Sequence, residues 1–111
     1  MKEYLFIGEK RSQQAIDNDW EWKQGVSTAK VLFRALREAE IEPTEQDFAN
    51  LWNDEGELQI PETELKIIGM GKVVQQKLNE LGIEHTGIIH PAARGSIRGK
   101  YIEHVRETLK N

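Results

Sequence analysis

Apolar positions along the chain follow two rhythms. Continuous apolar runs closed by glycine occur at YLFIG (4–8) and LKIIGMG (65–71), and a shorter run spans His85–Ile89. Each predicts a buried strand. DFANLW predicts a further strand over Asp47–Trp52. Between these runs the spacing becomes helical. In STAKVLFRALREAEI, Val31, Leu32, Ala35, Leu36 and Ala39 fall on one side and Arg34, Arg37 and Glu38 on the other. Ser27 or Thr28 is placed to cap that helix. A second helix is predicted over Lys72–Leu81, with Val73, Val74, Lys77, Leu78 and Leu81 on one side and Gly82 at C′. A last one covers Ile97–Leu109, with Ile102, Val105 and Leu109 inward.

Two stretches have no clean period. EKRSQQAIDNDWEWKQG (9–25) reads as a long loop with a helical turn near Ser12–Ile16, and it carries Trp20 and Trp22. A loop of that length in a compact domain is usually functional or disordered, and the two tryptophans favour function. NDEGELQIP (53–61) is too short for a crossover helix and reads as a short connection or small hairpin. The order is β-α-β-β-α-β-α, without internal repeats or low-complexity segments. Apolar strands alternating with amphipathic helices predict a three-layer α/β fold, with a mostly parallel four-stranded sheet and flanking helices. Ligands of such sheets bind beyond the carboxyl ends of the strands. The segments expected there are GEKRS, WND, GMGK and HPAARG.

Composition narrows the class. The 111 residues fit one domain, and 38% hydrophobic with 31% charged residues describes a soluble globular chain. No apolar run approaches the roughly 20 residues of a membrane span. The apolar stretch at the N-terminus is too short for a signal peptide, so a cytoplasmic protein without a membrane partner is expected. Absence of cysteine excludes disulfides, thiolate metal sites and a cysteine nucleophile. The net charge is −4, yet Arg94, Arg98 and Lys100 share a stretch with no acidic residue. An acidic surface weakens non-specific association with DNA, whereas a local basic mouth can hold one or a few phosphates. Lys10 and Arg11, after the first strand, would meet Arg94 and Arg98 on the same edge. An ordinary solvated turn is the alternative for these cations.

Several side chains could carry chemistry. GMGK lacks the G-x-x-x-x-G-K-[ST] pattern, and a tight strand-to-helix turn is favoured over a phosphate contact. His85, His90 and His104 lack metal-ligand spacing, so no metal is expected; His104 is expected at the surface. His90, held by Pro91 at a strand end, either donates to a developing oxyanion or serves a rigid turn. Glu9 either positions water or pairs with a neighbour such as Arg11. Asn50 either reads a base edge or faces solvent. Trp20 and Trp22 could stack on a planar ligand, or join Trp52 in the core.

These pieces in their order resemble the uracil-DNA glycosylase superfamily, nearest the bacterial and archaeal branch with a G-E-x-P-G start and an H-P-S end. The matching stretches are LFIGEKRS, WKQGVSTAKVLFRAL, DFANLW, LKIIGMGKVVQQKL and IIHPAARGSIR. Lys10-Arg11-Ser12 stands where that branch has x-P-G, and Ala92 stands where it has serine. The resemblance implies hydrolysis of the N-glycosidic bond of a uracil-like or modified base, with DNA or a nucleotide as partner. In it, Glu9 and His90 would be catalytic, activating water and stabilising charge on the leaving base. Trp22 would stack on the base and Asn50 would read its edge. Lys10, Arg11, Arg94 and Arg98 would touch phosphates. Without cysteine the iron–sulfur cluster of that branch has no ligands, and no cofactor is expected. The alternative is a catalytically inert nucleotide- or nucleic-acid-binding module of the same fold.

Overall fold

The computed structural model of the chain describes residues 2–92 and 100–109. Arg94, Ile97 and Arg98 lie outside the described residues. Four strands, β1 (Tyr4–Gly8), β2 (Asp47–Asn50), β3 (Lys66–Met70) and β4 (Thr86–Ile88), form one sheet in the order β2-β1-β3-β4. Every pairing is parallel. β1 is central, which is why all five of its residues are buried and why its sequence shows no alternation.

Register sorts the two faces of the sheet. Phe6 pairs with Phe48 on one side and Ile68 on the other, so these three share a face with Tyr4, Met70 and Ile88. Helices α2 (Thr28–Glu38) and α4 (Tyr101–Leu109) cover that face, burying Leu32, Leu36 and Val105 against it. Leu5 and Ile7 point to the opposite face, where α3 (Lys72–Glu80) buries Val74 and Leu78 with Leu51. Each such large apolar side chain contributes about 1.5–3 kcal/mol on burial. The result is a three-layer α/β architecture. No helix among the described residues is long and apolar enough to cross a membrane.

Local differences from the sequence expectations have clear causes. The polar stretch after β1 holds a helix, α1 (Gln13–Asn18), rather than a single turn. Ser12 caps it, its Oγ accepting from Ala15 N–H at 3.1 Å. A 3₁₀ turn over Trp22–Gln24 follows. At α2 neither capping expectation holds. Ser27 occupies the N-cap position but makes no side-chain cap bond, with φ at 54°. Both α2 and α3 end in the double hydrogen-bond pattern of a Schellman motif. Ile83 N–H reaches Leu78 C=O (2.9 Å) around Gly82, and Ile41 N–H reaches Leu36 C=O (2.8 Å) around Glu40. After β2 the chain makes the small hairpin, with Trp52 bridging Leu58 across the Asn53–Glu57 turn.

Candidate functional site

The site is built on two glycines at the carboxyl ends of the central strands. Gly8 ends β1, and Trp22 from the 3₁₀ turn lies directly on it. A Cβ at Gly8 would stand 2.7 Å from Trp22 Cζ2 and 3.1 Å from Asn50 Oδ1. Gly71 follows β3 with φ at 92°, and His90 lies on it, 3.2 Å from where a Cβ would stand. Asn50 ends β2 in register with Gly8. Asn50, Trp22 and His90 therefore stand in a row over the ends of β2, β1 and β3. Phe48 lies beneath the indole, with ring centroids 6.4 Å apart, and the His90 ring meets Trp22 edge-on at 6.3 Å.

Hydrogen bonding fixes what each of these groups offers. Trp22 Nε1–H donates to Asn50 Oδ1 at 2.8 Å. Ala92 N–H donates to His90 Nδ1 at 3.0 Å, so in the neutral ring the proton sits on Nε2. Burial lowers the His90 pKa, and the charge of Glu9 opposes that shift only partly. Nε2 of His90 and Nδ2 of Asn50 have no partner among the described residues. Because no buried side-chain polar atom among them lacks a partner, both are reachable from solvent. Glu9 is exposed just beyond β1, and its carbonyl accepts from Trp52 N–H at 3.0 Å.

These groups border a cleft of about 240 Å³, lined by Lys10, Trp20, Trp22, Asn50, His90 and the first turn of α2. A second cavity of about 300 Å³ lies across the Trp22–Asn50 pair, against Trp52 and Asp54. The positive end of the α2 dipole borders the first cleft. Lys10 is exposed at its rim.

Arg11 is a correction. Instead of facing the cleft as a phosphate ligand or pairing with Glu9, its guanidinium grips Asp54 with two nitrogens, Nε to Oδ1 at 3.1 Å. A third nitrogen donates to Trp20 C=O at 3.1 Å. This fork ties the loop after β1 to the hairpin after β2, and the guanidinium holds the Asp54 carboxyl below its usual range. Trp22 and Asn50, expected to meet the base separately, are each other's partners. The second phosphate pair, Arg94 and Arg98, falls outside the described residues.

Supporting residues also emerge that the sequence did not mark. His104, expected at the surface, is half-buried, and its Nε2 accepts from Ile89 N–H at 3.0 Å. Tyr101 donates to Ile89 C=O at 2.8 Å, with its hydroxyl pKa pushed up by burial. The two clamp the residue that leads into His90. Their helical i,i+3 spacing was the one available signal. Gln75 Nε2 donates to Gly69 C=O (3.2 Å) and Ile88 C=O (3.0 Å), joining the ends of β3 and β4.

Among the described residues no group of three His, Cys, Asp or Glu side chains could hold a metal ion. Fold and site together define an all-parallel α/β protein with a donor-lined cleft at the carboxyl edge of its sheet. No protein-family model matches the chain, and a search of curated proteins finds no significant match.

Proposed function

We propose that this cleft receives a uracil-like or modified base, and that the protein is glycosylase-like, hydrolysing the N-glycosidic bond of that base in DNA. The observation carrying the reading is the gathering of Glu9, Trp22, Asn50 and His90, drawn from four separate segments, at one sheet edge beside an open cleft. The ring stacks on indole surface, and Asn50 Nδ2 donates to a ring oxygen. As the bond from sugar to base breaks, its electron pair moves onto the base. Neutral His90 donates from Nε2 to the carbonyl oxygen where that charge collects. Glu9 orients a water toward the sugar carbon and takes its proton as the new C–O bond forms. Extruding the nucleotide costs a few kcal/mol of stacking and pairing, which ring and phosphate contacts offset.

The test is incubation of the protein with single- and double-stranded oligonucleotides carrying uracil and modified bases. Abasic sites are expected, and Glu9→Ala and His90→Ala should abolish them while the circular dichroism spectrum is kept. Failure to release any base across the pH range would sink the enzymatic reading. The second reading is an inert nucleotide-binding module with the same pocket. It is favoured by the engagement of Arg11 with Asp54, which withdraws a cation from the rim. In that case Glu9→Ala leaves nucleotide affinity intact, and Lys10→Ala weakens it in a salt-dependent way.

A further inference from the structure

The two polar groups that face the cleft from its floor are both donors, and this follows from their other partners. An indole N–H can only donate, so the Asn50 atom at 2.8 Å from Trp22 Nε1 must be the carboxamide oxygen. Turning the amide over would set two donors against each other. The oxygen is also held against the end of β1, 3.1 Å from where a Gly8 Cβ would stand. The Asn50 main chain is anchored by pairing with β1 and by Gln59 Nε2 on its carbonyl at 3.3 Å. What remains for a ligand is Nδ2 with its two protons. His90 is filled in the same sense, its acceptor nitrogen taken by Ala92 N–H.

We infer that Trp22 is a specificity-determining residue: its indole N–H locks Asn50 as a donor, so the cleft reads ring oxygens or ring lone pairs and is blind to ring N–H groups. The inference rests on the base-pocket reading above and names the ligand class, a planar ring whose edge presents acceptors to both Asn50 and His90. An unlocked asparagine would read a carbonyl and an adjacent N–H together through its two amide atoms. Here the N–H goes unread, so a ring substituted at that nitrogen remains a ligand as far as Asn50 is concerned.

The test is a comparison of uracil and 3-methyluracil, the latter lacking the ring N–H between its two carbonyls, by calorimetric titration of the wild-type chain and Trp22→Phe. A neutral hydrogen bond carries roughly two- to tenfold in affinity. Wild type should bind the two rings within about threefold of each other. Trp22→Phe frees the Asn50 oxygen, and uracil should then gain roughly two- to tenfold over 3-methyluracil. A purely structural or stacking role for Trp22 would weaken both rings alike and leave the ratio unmoved, which overturns the inference. So does a tenfold or greater preference for uracil in the wild type. If neither ring binds, the base-pocket reading falls and this inference with it. Should Trp22→Phe fail to fold, the wild-type amide spectrum decides. On adding uracil the Asn50 side-chain NH₂ signals should shift while the Trp22 indole N–H signal stays put, and movement of the indole signal with unmoved Asn50 signals refutes the lock.

Discussion

Gly8→Ala tests the foundation of the site. A methyl group there would stand 2.7 Å from Trp22 Cζ2, 3.2 Å from Cε2 and 3.1 Å from Asn50 Oδ1. Comfortable carbon–carbon contact needs about 3.5–4.0 Å, so the ring must retreat by nearly 1 Å. A bond of 2.8 Å from Nε1 to Oδ1 does not survive such a shift within hydrogen-bond range. Overpacking of this kind costs about 1–3 kcal/mol, and the lost bond about 1 kcal/mol more. Replacing glycine returns about 0.4–1 kcal/mol through the unfolded state, leaving a net loss of about 1–3 kcal/mol. With an unfolding entropy of about 2.1 cal/mol/K per residue, the 111 residues give about 0.23 kcal/mol/K, and Tm should fall by about 4–13 °C. The assay is thermal unfolding followed by circular dichroism, repeated in a Trp22→Leu background. There the methyl has no ring to meet, and the same substitution should be neutral or slightly stabilising. An unchanged Tm in the wild-type background, or an equal fall in both, refutes the placement of Trp22 on Gly8.

Two further predictions use the same measurement. Glu40 closes α2 with φ at 62°, a left-handed conformation that suits glycine, so Glu40→Gly should raise Tm by about 2–4 °C, from about 0.5–1 kcal/mol of relieved strain. A lower Tm would mean that Glu40 makes a contact worth more than that strain. His90 has a folded pKa below its ordinary 6.5, because burial disfavours the charged ring, so below pH 6.5 the unfolded chain takes the proton first. Its contribution to stability is complete above pH 6.5 and is lost as pH falls through its own lower pKa. Melts between pH 7.5 and pH 5 should show a decline that His90→Gln flattens, and an equally steep decline in the variant refutes the assignment.

How far the sequence reached depends on the range of the interaction involved. β1 and β3 were legible because a strand buried on both faces leaves an unbroken apolar run, and α2 because its apolar stripe repeats at helical spacing. α1 was read as a turn since none of its residues is buried and its one strong signal is the Ser12 cap. The site residues were legible only as strand ends, in the register of the fold. Their partners were not. Arg11 meets Asp54 across 43 positions, and Trp22 meets Asn50 across 28. Nothing local distinguishes a guanidinium bound for a carboxylate from one bound for a phosphate. His104 reads as a surface residue because its neighbours on α4 are charged, and only the turn after β4 gives it a backbone N–H to accept.

The sheet order explains why the cleft lies where it does. From β1 the chain moves outward to β2 and then returns past β1 to β3, so the two connections diverge between β1 and β3. Open parallel sheets leave their crevice at that divergence, beyond the carboxyl ends of the strands. Here the two strand ends flanking it are Gly8 and Gly71, and neither contributes a side chain. Trp22 fills the place over the first and His90 the place over the second. The crevice is thus floored by rings delivered from loops, and the open volume is displaced toward the first turn of α2. This arrangement couples stability to recognition. A side chain added at either glycine would displace the ring that the cleft depends on, and both rings are oriented by bonds, to Asn50 and to Ala92 N–H, that consume their partners' acceptors or their own. A site assembled this way presents donors by construction, which is why acceptor-bearing ligands, rather than cations or donor-rich ones, are the chemistry it suits.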